Sequence, residues 1–196
     1  MNREDSLDRA MRLFWQQGYH GTSIKDLEQA LALHPGSIYA AFGSKSALYK
    51  EALDRYAQDL SEDLERCFAE AQSPLEGIRS YFRQVASSCS SSARDGVCPA
   101  RACMVVKTIL ETGGQDRDIA RHANRLLSRI ERRFERALKE AQSRGDLRQE
   151  VNPRRLARYL QAQLMGLRAF AQRDIARGAV KELAEDIIKS IDSCLP

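Results

Sequence analysis

No stretch of this 196-residue chain approaches the roughly eighteen consecutive apolar residues that a membrane-spanning helix needs, so no membrane partner is expected. Histidine is scarce, at three residues, and no HExxH, GxSxG or glycine-rich phosphate loop occurs. Those absences remove the common arrangements for metal-assisted, nucleophilic and phosphoryl-transfer chemistry, and we expect no enzyme and no cofactor. The five cysteines, Cys67, Cys89, Cys98, Cys103 and Cys194, contain no CxxC pair, and an odd number cannot close into a disulfide framework. Reduced thiols are the expectation. Cys98, Cys103 and His122 could be imagined around a metal, but the four-residue gap between the cysteines is unlike a closed zinc knuckle, and no metal is expected. The first six residues carry charges of both signs instead of leading into an apolar stretch, which points to a cytoplasmic protein.

Aromatic residues are only 7% of the chain, and glycine and proline are few, at 11 and 5. What is present is 43% apolar residues recurring at three and four positions, an all-α signature of about nine helices. Leu7, Ala10, Met11 and Phe14 form one face of a first helix that stops at Gly18, a residue suited to a left-handed C-terminal cap. Thr22 or Ser23 can cap a second helix with Ile24, Leu27 and Leu31 inward. Pro35 opens a short third helix that ends at Phe42-Gly43, and Ser44 caps a fourth. Longer segments follow near 75–89, 101–112, 116–143, 153–173 and 178–193, with a serine-rich loop between the first two. The net charge of +4 is concentrated away from the first fifty residues: residues 116–158 hold thirteen Lys/Arg against seven Asp/Glu. Arg121, Arg125, Arg129, Arg132, Arg133 and Arg136, interrupted by Glu131 and Glu135, are expected to form a solvated, ion-paired face.

The third helix meets the requirements of a groove-reading helix. Such a helix is short, exposes small or polar residues near its N-terminus, and is pinned from behind by apolar ones. Ile38 and Phe42 are its expected inward residues. His34, Pro35, Gly36, Ser37, Tyr39 and Ala40 are the expected DNA-facing ones, with Tyr39 offering a hydroxyl to a phosphate. Thr22 and Ser23 at one helix start and Lys45 at another are expected to clamp the backbone.

The runs Gly18-Tyr19-His20-Gly21-Thr22-Ser23-Ile24 and Ser37-Ile38-Tyr39-Ala40-Ala41-Phe42-Gly43-Ser44-Lys45-Ser46-Ala47-Leu48 resemble the TetR/AcrR family of transcriptional regulators over residues 7–55. The resemblance implies a helix-turn-helix DNA-binding domain at 1–50 and an effector-binding and dimerisation domain at 51–196. It also implies a homodimer, palindromic operator DNA as partner, and repression relieved by an unknown small-molecule effector. Three positions depart from the usual pattern: Ala32 stands where a turn glycine is general, Glu28 where a small residue is, and His34 where a Ser or Thr cap is.

The last two long helices carry the expected dimer interface: Leu156, Leu160, Leu164, Gly166, Leu167 and Phe170 on one, Leu183, Ile187, Ile188 and Ile191 on the other. Phe68, Phe82, Met104, Phe134 and Met165 are effector-pocket candidates by position. Cys103 is expected in the first turn of a short helix with Lys107 four residues on, an arrangement that favours a thiolate and a redox or electrophile signal with Cys89 or Cys98 as the resolving thiol; the alternative is a buried small apolar cysteine, the commoner fate of a free thiol.

Overall fold

In this computed structural model, which describes residues 2–91, 102–173 and 176–195, the described residues form nine helices and no strand. They are α1 (Arg3–Gln17), α2 (Ile24–Leu31), α3 (Pro35–Phe42), α4 (Lys45–Glu70), α5 (Pro74–Ser91), α6 (Met104–Thr112), α7 (Arg117–Ser143), α8 (Pro153–Phe170) and α9 (Arg177–Asp192). None is long and apolar enough to cross a membrane.

The helix starts are set by local chemistry. Asn2 caps α1 by accepting from the Asp5 amide at 2.9 Å. Ser23, not Thr22, caps α2 in a full capping box: its Oγ accepts from the Asp26 amide at 3.1 Å while Asp26 accepts from the Ser23 amide at 2.7 Å. The Ser23 hydroxyl, donating to the Asp26 carboxylate at 2.6 Å, and then the Ser23 amide hold that carboxyl below its ordinary range. Ser44 caps α4 through the Ala47 amide at 3.0 Å, and Asn152 caps α8, with Pro153 at its first position. The α2 terminus turns at Ala32, with φ 50 and ψ 42, a left-handed conformation in a residue that carries a Cβ. Ala32→Gly is therefore expected to stabilise the protein by about 0.5–1 kcal/mol, read as a rise in chemical-denaturation midpoint. An unchanged midpoint would show that the turn carries no strain.

Two compact units form: Met1–Leu60 with Met104–Leu127, and Ser61–Cys103 with Ser128–Pro196. The division differs from the linear one at residue 50 because α6 and the start of α7 pack with the N-terminal helices. In the first unit Phe14, Leu27, Leu31, Ile38, Leu48, Tyr49 and Leu53 are fully buried. Tyr49 meets Phe14 edge-on at 4.8 Å between centroids, and its hydroxyl lies 2.7 Å from Thr108 Oγ1. Thr108 donates to the Met104 carbonyl, so Tyr49 is the donor of that pair, and burial pushes its phenol up to about 12. In the second unit α5 packs against α8 and α9, and Tyr81, Phe82 and Phe134 are fully buried, with the Phe82 and Phe134 rings stacked at 6.5 Å.

Leu160, Leu164, Leu167, Ile187, Ile188 and Ile191, expected at a dimer interface, are all buried within the protomer itself. The 3.6-residue period identified an apolar face but not its occupant, which is α5 and the facing helix of the same chain. Gly166 is exposed, and Leu156, Phe170 and Leu183 are half-buried.

Candidate nucleic-acid interface

The outward face of α3 is built by what its inward face does. Ile38 and Phe42 are buried, and Arg3 of α1 lays its guanidinium 4.8 Å from the Phe42 ring centroid while donating to both Glu51 oxygens of α4 at 2.6 and 2.8 Å. With its back held to α1 and α4, the helix leaves His34, Pro35, Gly36, Ser37, Ala40 and Ala41 exposed, and Tyr39 46% exposed. His34 occupies the N-cap without a side-chain bond to the helix, so its imidazole is not consumed by capping. A Cβ built at Gly36 meets nothing within 4 Å.

The expected backbone clamps divide. Lys45, at the first position of α4, is half-buried with its ammonium 4.4 Å from the Tyr19 ring centroid, a cation–π pair. Partial desolvation lowers its pKa, opposed by Glu111, Asp116 and Asp26. Ser23 is exposed, but its hydroxyl donates to Asp26 at 2.6 Å. Thr22 corrects the expectation: it is fully buried, and its hydroxyl donates to the Gly18 carbonyl at 2.7 Å. Its side chain closes the α1–α2 turn and does not reach the surface. Lys25, exposed in the first turn of α2, is a cation on this side that the spacing argument passed over.

That turn has a second support with no signal in the sequence. Glu111, at the end of α6, accepts from the Tyr19 amide at 3.0 Å and the His20 amide at 2.6 Å. The approach requires Gly18, whose φ of 80 and ψ of 177 lie in a region open almost solely to glycine, rather than the expected left-handed cap. A Cβ there would stand 2.6 Å from Glu111 Oε2. Gly18→Ala is expected to destabilise the fold by about 2–3 kcal/mol, since strain adds to loss of the carboxylate–amide pair. A thermal midpoint within error of the parent would refute this account of the turn.

The effector candidates do not form a set in one unit. Met104 and Lys107 belong to the first, Phe68, Phe82, Cys103, Phe134 and Met165 to the second. Phe82, Met104 and Phe134 are fully buried, and Met165 is half-buried. Phe68 sits under the Arg133 guanidinium at 4.0 Å and lines an open groove of about 300 Å³. Cys103 immediately precedes α6 instead of lying in its first turn, and is only 6% exposed. Lys107 does not serve it: its ammonium donates to the Trp15 carbonyl at 2.8 Å, at the C-terminal end of α1. Burial raises the Cys89 thiol, with Arg168 opposing. Cys98 lies outside the described residues, and those residues contain no cluster of three metal-ligating side chains.

A short helix pinned from behind, small and polar at its outward N-terminal end and preceded by a tight turn, defines a helix-turn-helix DNA-binding protein. Residues 7–52 match the family of bacterial regulatory proteins of tetR type, and residues 74–187 match the tetracyclin repressor-like C-terminal domain. The transcriptional repressor ComR of Escherichia coli is 28% identical over 93% of this chain and 85% of its own. A cysteine-substituted form of the TetR family regulator CifR, solved with a 26-base-pair operator DNA, is 27% identical, with a TM-score of 0.88 and 97% of each chain covered. A TetR family regulator from Cytophaga hutchinsonii, 20% identical, shares the fold with a TM-score of 0.86. The chain belongs to the TetR family and is a DNA-binding transcriptional regulator, not an enzyme.

Proposed function

We propose that this protein is a cytoplasmic homodimeric repressor that reads a palindromic operator with α3 and is released by a small molecule received in its C-terminal domain. The single observation that carries the DNA reading is the division of α3 into buried Ile38 and Phe42 and an exposed face of His34, Pro35, Gly36, Ser37, Tyr39 and Ala40. A helix with this division can enter a major groove without unpacking its own core. Lys45 and Tyr39 supply phosphate contacts, and Gly36, Ser37 and Ala40 are small enough to bring the backbone close to base edges. The operator-bound relative supports the same use of the fold.

Fluorescence anisotropy with a palindromic fragment from upstream of the protein's own gene tests the reading. Lys45→Ala should weaken binding to all sequences alike and reduce the salt dependence by about one phosphate contact, whereas Ser37→Ala should change preference among operator variants. Equal affinity for palindromic and random DNA would overturn it. A non-covalent effector fits the burial of Cys103 and the diversion of Lys107 better than an oxidant does. Cys103→Ser should therefore bind operator as the parent does, and hydrogen peroxide should not distinguish the two. Release of the parent by peroxide, abolished in Cys103→Ser, would instead establish the thiol as the sensor.

A further inference from the structure

The arginine face of α7 is not uniformly ion-paired. Its carboxylates are committed: Asp118 to Lys50 at 2.6 Å, Glu131 to Arg158 of α8 at 3.0 Å, Glu135 to Lys139 at 2.6 Å and Glu140 to Arg144 at 3.9 Å. Arg133 is taken by Glu65 of α4, donating to Oε2 at 2.8 Å, and this pair holds the Glu65 carboxyl below its usual range. Among the described residues Arg129, Arg132 and Arg136 have no carboxylate within ion-pair distance, and all three are exposed; Arg125, which also lacks one, hydrogen-bonds His122 at 3.1 Å.

These three line one groove. It has a volume of about 290 Å³, lies between α4 and α7, and is bounded by Ser61, Leu64 and Glu65 on one side and by Ile130 and the arginines on the other. Leu64 and Ile130 are buried, so they give it an apolar base. Four arginines against one glutamate leave the groove with a formal charge of +3. Positions 129, 132 and 136 share one helix face, and their Cα atoms span about 10 Å along its axis at 1.5 Å per residue. With Glu65 as the one carboxylate among four guanidinium groups, positive charge is in excess and the arginines repel one another, so the folded state gains from an anion that joins them, and each planar fork suits phosphate or carboxylate oxygens.

We propose that this groove binds a small polyanion, a metabolite carrying at least two phosphate or carboxylate groups. The volume accommodates a compact small molecule with its charged groups spread along the arginine row. All of its lining residues belong to the second unit, and the proposal does not rest on the operator assignment.

Isothermal titration calorimetry on the full chain at low ionic strength, with sodium pyrophosphate and trisodium citrate as separate probes, tests it. Saturable binding of one or both probes is expected, weakened at least about ten-fold by Arg132→Gln combined with Arg136→Gln and unchanged by Arg121→Gln, an exposed arginine of the same helix outside the groove. Which probe binds tells phosphate from carboxylate chemistry. Unchanged melting of the double variant without probe shows that it folds, and the probe should raise the parent's midpoint more than the variant's. The proposal is overturned if neither probe saturates or if the double variant binds like the parent. It is also overturned if only duplex DNA distinguishes the two proteins, which would make the row a nucleic-acid contact.

Discussion

Gly36→Asp should leave the protein folded and abolish most of its operator binding. Gly36 is the second residue of α3, and nothing in the protomer lies within 4 Å of a Cβ placed there. An aspartate at the second position of a helix sits over the exposed amides of the first turn, where its charge is favourable by about 0.3–1 kcal/mol, and replacing glycine removes backbone entropy from the unfolded chain. Thermal stability is therefore expected to hold or rise slightly. The same carboxylate would project from the face that approaches DNA, where like-charge contact with phosphates costs several kcal/mol. A loss of about 100-fold in operator affinity by anisotropy is the expected result. The opposite signs of the two effects separate a binding role from a structural one. A Gly36→Asp protein that bound operator within about two-fold of the parent would remove α3 from the interface.

What could be read from the sequence follows from where each signal resides. The helices of the N-terminal head are legible because their starts and stops are local: Ser23 with Asp26, Pro35 after His34, Ser44 before Lys45. The outward face of α3 is legible for the same reason, since an eight-residue helix with Ile38 and Phe42 inward leaves few choices for the rest. Thr22 was misread because helix-start chemistry fits either of two adjacent residues, and only the turn geometry shows which hydroxyl faces in. Glu111 was invisible: its partners are amides of residues 19 and 20, and backbone donors leave no trace in side-chain identity. Spacing pairs Lys107 with Cys103, but its ammonium donates to the Trp15 carbonyl at the end of α1, a contact between residues 92 apart. The expected dimer face meets the same limitation, because periodicity reports that a face is buried and not whether the covering atoms belong to the same chain, and six of its ten residues are already covered within the protomer.

Substitutions on α8 separate the protomer's own core from a face that meets a second copy. Leu164→Arg would place a charge in the protomer's own core, since Leu164 is buried there, and would unfold the chain rather than divide a dimer. Gly166→Arg is the selective test. Glycine in the middle of an eighteen-residue helix costs about 1 kcal/mol relative to a good helix former, and at Gly77 the reason is internal, because a Cβ there would meet the Phe68 ring at 2.4 Å. At Gly166 a Cβ meets nothing within 4 Å, so the protomer's own packing does not account for it. Around it lie exposed Ala162, Ala169 and Tyr159, a face of small side chains beside one large ring, with half-buried Phe170 alongside. Close approach by the same face of a second copy would use the space that glycine leaves. Gly166→Arg should therefore raise the melting temperature of the isolated protomer or leave it unchanged, convert a dimer to a monomer at micromolar concentration in sedimentation, and lower affinity for a two-half-site operator by about 100-fold through loss of the linked second head. Affinity for a single half-site should change little. A Gly166→Arg protein that sediments as a dimer would move the interface to another surface.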